Sequence, residues 1–221
     1  SPGLEDGAIK DVSGNGNPLS AWSSAWAWYR NTVPAYVTPA TETPNTFCVR
    51  NANNFPSLSS IGTGLTDWTP ERWTIEAAIR PDAVSTYQTI VGRDSHGAFA
   101  AEPRFAALYF SVRPGGVLAI QFTDAAGNNW NLTSAANAIS AQAWQAVAAT
   151  SDGKLLRLYR RDLTNTEPAY TLLASLDISS SDNPAIHPGT GDGADWDRGV
   201  ITVGRGLWDG VHADRFLGML D

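Results

Sequence analysis

The chain has 221 residues and a formal net charge of −7; 43% of the residues are hydrophobic and only 17% charged. That is enough length and apolar material for a sizeable core, so disorder is not the default reading. The acidic balance argues against a nucleic-acid partner, which needs a basic face, and against docking on anionic lipid.

The first 45 residues are rich in Trp, Ser, Pro and Thr. Pro34, Pro39 and Pro44 argue against central strands there. The segment reads as an irregular insertion whose tryptophans pack on the body of the domain. Within it, Asp11-Val12-Ser13-Gly14-Asn15-Gly16-Asn17 sets Asp and Asn side chains on a glycine-rich turn. Cys48 is the single cysteine, so no internal disulfide can form. It lies in the apolar run Phe47-Cys48-Val49 and reads as a buried core thiol. No apolar run approaches the roughly 18 residues that span a membrane.

From Trp73 onward the alternation has period two. Trp73, Ile75, Ala77 and Ile79 face one way, and Thr74, Glu76 and Arg80 the other. Residues 88–92 form the next predicted strand. Residues 105–112 read as apolar on both faces, as a central strand would. Pro114-Gly115-Gly116 then turns the chain into residues 117–123, a hairpin signature. Residues 134–143 could hold one helical turn at most. Strands are predicted at 144–150 and 155–160, joined by Ser151-Asp152-Gly153-Lys154, whose Asp-Gly allows the positive φ of a tight turn. Residues 170–176, 199–204 and 216–220 follow, with a loop rich in Gly and Asp at 182–198. No segment carries a long stripe of period 3.6. Many short strands between turn signals predict an all-β chain, a two-sheet antiparallel β-sandwich.

The order of these segments resembles the laminin-G-like, concanavalin A-like jelly-roll family. Asp11 to Asn17 resembles its opening Asp-x-Ser-Gly-Asn-Gly-Asn signature. Trp73-Thr74-Ile75-Glu76-Ala77-Ala78-Ile79-Arg80-Pro81 is similar to its Phe-Thr-Ile-x-x-Trp-Ile-x-Pro strand, and Gln88 to Arg93 to the next. Trp144-Gln145-Ala146-Val147-Ala148, followed by Asp152-Gly153, resembles its Trp-x-x-Val-Ala strand and turn. Ile201 to Gly204 and Phe216 to Asp221 resemble its closing strands. The resemblance implies one concanavalin A-like jelly-roll domain over residues 1–221, with a final strand after Asp221 missing or cleaved. It also implies a structural calcium ion held by Asp11 and Asp221, with Asn15 or Asn17 adding oxygens. The competing reading of that turn is Asp and Asn bonding their own backbone.

Nine tryptophans are many for this length. Sugars present C–H faces to Trp and Tyr while Asp, Asn and Arg bond their hydroxyls. Trp130 among Asn128, Asn129 and Asn131, Trp196 between Asp195 and Asp197, and Trp208 before Asp209 are the candidate platforms, with Arg93 and Asp94 as polar contacts. The alternative for each is packing under its own loop. Trp73 and Trp144 begin strands and read as core. A catalytic set is less legible. Lyases of related fold use Arg, Gln, His and Tyr on adjacent concave strands, and the nearest material is Gln88, Arg93, His96, Tyr109 and Arg113. No Gly-x-Ser-x-Gly elbow or phosphate-binding glycine pattern occurs. The expected function is a secreted carbohydrate-binding, lectin-like module within a larger polysaccharide-active or cell-surface protein, its partner a glycan or polysaccharide. A further domain, or the cleaved remainder of the chain, is the other expected partner. The alternative is a polysaccharide lyase or glycoside hydrolase on the same scaffold. Asn131-Leu132-Thr133 is a glycosylation sequon if a eukaryote secretes the chain.

Overall fold

The computed structural model describes residues 4–5, 8–9, 15–17, 19–21, 26–30, 47–51, 58–59, 65, 68–93, 107–164, 169–188, 201–208 and 211–221. The strands among them are β1 (Leu4–Glu5), β2 (Ala8–Ile9), β3 (Leu19–Ala21), β4 (Trp26–Arg30), β5 (Phe47–Asn51), β6 (Leu58–Ser59), β7 (Trp73–Pro81), β8 (Gln88–Arg93) and β9 (Leu108–Arg113). They continue with β10 (Val117–Thr123), β11 (Asn129–Thr133), β12 (Gln145–Ser151), β13 (Leu155–Asp162), β14 (Thr171–Asp177), β15 (Ile201–Val203), β16 (Gly206–Trp208), β17 (Val211–Ala213) and β18 (Gly218–Leu220). No α-helix occurs among the described residues.

Two antiparallel sheets form the sandwich. One runs β1-β2-β3-β6-β15-β8-β9-β10-β11 and the other β14-β13-β12-β7-β18-β5-β4, while β16 and β17 pair as a separate hairpin. Alternation decides which side chains fill the space between the sheets. On β9 and β10, Leu108, Phe110, Val112, Leu118, Ile120 and Phe122 are fully buried there. Val147, Ala149, Leu156 and Leu158 answer from the other sheet. Trp73 meets Phe122 edge to face, with centroids 5.6 Å apart, the geometry that aromatic quadrupoles favour. A smaller cluster of Cys48, Ala78, Trp144 and Met219 holds the buried thiol.

Two sequence expectations change. The strands described within the first 45 residues do not lie over the sandwich: β1, β2 and β3 extend one sheet, and β4 pairs with β5 at the edge of the other. Asn129 to Thr133, read as a loop around Trp130, is a strand in register with β10, Gln121 opposite Asn131. Asn is depleted in strands, yet five ladder partners hold this one. Finally, β18 lies inside its sheet, hydrogen-bonded to β5 and β7.

Candidate functional site: a polar pocket on the outer face

Residues opposite one another in a ladder share a face. With Leu108, Phe110 and Val112 in the core, Tyr109, Ser111 and Arg113 must point to the outer face of the nine-stranded sheet. Gln121 lies opposite Tyr109, and Asn131 opposite Gln121. Residues 105–112, read from the sequence as apolar on both faces, are therefore apolar on one face only across β9. This outer face is the floor of a pocket of about 390 Å³ lined by Tyr87, Tyr109, Ser111, Arg113, Gln121 and Asp214.

The walls come from connections. Tyr87, just before β8, is 54% exposed, so its ring stands at the rim. Asp214 follows β17 at a φ of 52°, a left-handed conformation that Asp tolerates better than most residues. Its carbonyl accepts from the Thr89 N–H at 2.6 Å, which ties this corner to β8. The hairpin lies against the same face. A Cβ on Gly206 would overlap the Tyr109 hydroxyl and stand 2.8 Å from Thr89 Oγ1. A Cβ on Gly92 would lie 3.7 Å from the Gly206 Cα. Two glycines thus allow a backbone to lie flat on the sheet.

Arg113 and Asp214 are the charged residues among the described lining. Burial lowers the Arg113 pKa, while Tyr87 and Asp214 act to raise it. Burial raises the Asp214 pKa and Arg113 acts against that. Each charge is costly in its partly dry setting, and each steadies the other. Arg113 Nη2 donates to Asn131 Oδ1 at 3.0 Å. Nearby, Arg205 is lowered by burial first and then by the like charge of Arg215, with Tyr109 acting in the opposite sense. The arrangement can hold a small polar ligand: one cation, one carboxylate, an amide and two tyrosines around a solvent-open cavity.

The residues singled out in the sequence fall in different places. Tyr109 and Arg113 line the pocket. Arg93 does not: it is fully buried, and its guanidinium donates to the carbonyls of Trp68 at 2.5 Å and Leu65 at 2.9 Å. Its opposite residue on β9 is Leu108, on the core side, so the expectation that Arg93 contacts a ligand gives way to a bracing role. Trp130 shares a face with Leu132 and packs, half-buried, against the core. Its Nε1 donates to Asp124 Oδ2 at 2.8 Å, so the packing alternative describes it better than an open platform. The same carboxylate accepts from Ser181 Oγ at 2.5 Å and from the Asn128 N–H at 2.8 Å. Burial pushes the Asp124 pKa up, but these hydrogen bonds outweigh it and the net shift is downward.

Gln88 is fully buried; it donates to the Ala83 carbonyl at 2.6 Å and accepts from the Leu217 N–H at 2.9 Å. It is a brace beneath the site. Trp208 ends β16, while its side chain lies outside the described residues, as do Asp94, His96, Trp196 and Asp11. Of the calcium set, Asn15 and Asp221 are both on the surface, and the main chain of Asp221 pairs with Ala78. Among the described residues no three His, Cys, Asp or Glu side chains gather. Sequence reasoning missed Tyr87, Ser111, Gln121 and Asp214. The alternation of β9 and β10 carried a signal for Ser111 and Gln121; nothing periodic marks the other two.

Known proteins bear on this fold. No curated protein matches the chain. Solved structures do, all at low identity. The CBM40 module of the Ruminococcus gnavus IT-sialidase is 16% identical, with a TM-score of 0.50 over 70% of this chain and 76% of that one. A mutant NanB sialidase from Streptococcus pneumoniae is 15% identical, with a TM-score of 0.52 over 75% of this chain. The enzymatically active domain of tailspike protein 2 from bacteriophage CBA120 is 13% identical, with a TM-score of 0.55 over 89% of this chain. The chain covers 23% of that sialidase and 26% of that tailspike domain. Residues 55–162, which carry β6 to β13 and the pocket floor, match the family model described as the concanavalin A-like lectin/glucanases superfamily. The sandwich is a concanavalin A-like jelly roll, and residues 55–162 are similar to that superfamily's model.

Proposed function

We propose that the chain is a secreted carbohydrate-binding module, one folded unit of a larger polysaccharide-active or cell-surface protein, and that its glycan seats in the outer-face pocket. One observation carries this reading. An exposed tyrosine ring, Tyr87, stands at the rim of a cavity whose floor offers Ser111, Arg113 and Gln121. A sugar ring needs those two things together: an aromatic face for its C–H groups and fixed donors and acceptors for its hydroxyls. The fold agrees, since the Ruminococcus gnavus module was solved bound to α2,3-sialyllactose.

The test is a glycan array followed by calorimetric titration of the strongest hit. Tyr87→Ala should weaken binding by roughly tenfold, the scale of one buried apolar face, and leave the melting temperature within about a degree. Binding to no glycan, or binding indifferent to Tyr87, overturns the reading.

One observation favours a second reading. Tyr109, Arg113 and Gln121 sit on adjacent strands of one face, three of the four residue types, Arg, Gln, His and Tyr, that polysaccharide lyases of related fold use. A lyase would release an unsaturated sugar from a polyuronate, visible as ultraviolet absorbance. A steady rise in that absorbance would replace the binding module with an enzyme. We also propose the calcium ion between the Asp11–Asn17 turn and Asp221, supported by the acidic and amide side chains of that turn.

A further inference from the structure

We infer that the pocket selects a sugar acid, whose carboxylate pairs with the guanidinium of Arg113. This rests on the outer-face pocket as a glycan site and adds the chemical class of the glycan. Arg113 is half-buried, and its hydrogen bond runs to a neutral amide oxygen, Asn131 Oδ1, at 3.0 Å. A guanidinium carries five N–H donors in a planar fork, so this amide leaves most of its capacity unspent. Among the described residues it forms no ion pair with a carboxylate. Asp214 lines the same cavity and interacts with Arg113 at longer range. Burying a charge beside a neutral partner is costly. A planar ligand carboxylate matches the fork and removes that cost, whereas a neutral sugar leaves it standing.

The rest of the lining suits the remainder of such a ligand. Ser111 and Gln121 supply neutral donors beside the cation. Asp214 is acceptor-only when ionised, so it suits sugar hydroxyls. The whole chain carries −7, which opposes loose attraction of polyanions. Selection for an acidic glycan must therefore come from a local cation, and Arg113 is the cation among the described residues that line this cavity.

Hexuronic acids and nonulosonic acids both carry the required carboxylate, so two arms separate them. The full chain is titrated with α2,3-sialyllactose and with an oligogalacturonate, each beside its carboxyl-reduced, neutral counterpart. One acidic ligand should bind at least about tenfold more tightly than its reduced form, the scale of a charge-assisted hydrogen bond. Arg113→Gln should bring that ratio to near one, and Arg113→Lys should keep part of it. Should Arg113→Gln fail to fold, the Lys variant and the loss of preference at high salt carry the test. Equal affinity for acidic and reduced forms overturns the inference while leaving the glycan site standing. So does an acidic preference that Arg113→Gln leaves unchanged. Failure of every charged and neutral glycan to bind overturns both.

Discussion

Gly206→Ala tests whether the hairpin lies flat on the sheet. The added Cβ would overlap the Tyr109 hydroxyl and Cζ and come within 2.8 Å of Thr89 Oγ1. Tyr109 is only 5% exposed, so its ring has little room to swing aside. Behind it, Gly92 already sits close to the Gly206 backbone. The hairpin must lift, and overpacking of this kind costs about 1–3 kcal/mol. In a chain of this size each kcal/mol is about 2–4 °C of melting temperature, so a drop of roughly 2–12 °C follows. Because Asp214 comes directly after β17, the lift also moves one wall of the pocket, and glycan affinity should fall with stability. Calorimetry and urea titration read the first effect and ligand titration the second. Tyr109→Phe removes the overlapped oxygen, so the double variant should be less destabilised than the sum of the singles by about 0.5 kcal/mol or more. A Gly206→Ala protein within about 0.5 kcal/mol of the parent, or costs that simply add, would refute the close approach.

Asp124→Ala should lower stability by about 2–4 kcal/mol, because Trp130 Nε1, Ser181 Oγ and the Asn128 N–H all lose a buried acceptor; a urea midpoint close to that of the parent would argue that water replaces the carboxylate. Asp152 is held at about 2, first by the Leu155 and Lys154 N–H groups and then by Arg157. Its folded pKa is depressed, so its contribution is present above about 3.8 and lost as pH falls from there towards about 2. Asp152→Asn should lower the melting temperature at pH 7 and flatten its decline across that acid window; parallel curves for the two proteins would count against it. For calcium, adding the ion to EDTA-treated protein at about 100 times its dissociation constant should stabilise by about 2.7 kcal/mol. An unchanged melting temperature after verified metal removal excludes a structural ion.

Much of the sandwich is legible in the sequence because one face of each strand must be apolar. Trp73 to Arg80 shows it plainly: the side chains assigned to the core by alternation are the ones in or against it. Arg93 shows where that logic stops. Strict alternation from Thr89 puts residues 91 and 93 on the outer face with it. A bulge intervenes: Thr89 is opposite Ser111, but Val91 is opposite Phe110. One extra residue flips every later side chain, so Gly92 faces outward and Arg93 turns to the core. No residue type at Ile90 announces this. Trp130 was obscured differently, since its asparagine neighbours read as a loop while the strand is held by partners far away in sequence. Tyr87 and Asp214 sit in connections, where position depends on what the chain packs against and not on any period.

The two faces of the sandwich differ in what their polar groups still have to offer. Outside the seven-stranded sheet, Cys48, Ala78, Trp144 and Met219 pack together. The shallow depression at its end is lined by Arg72, Trp73, Thr74, Thr150, Ser151 and Asp152. There the Asp152 carboxylate is taken by its own turn and by Arg157 at 2.9 Å. A ligand would have to displace bonds already made. Outside the nine-stranded sheet, the Arg113 cation leans on a neutral amide and faces an Asp214 carboxylate that burial makes costly. Binding energy comes from groups whose present partners are poorer than the ligand would be. By that criterion the outer face of β9 and β10 is where this fold has kept interactions in reserve, and the glycine in the hairpin, Gly206, and the one beneath it, Gly92, are what let the hairpin wall it so closely.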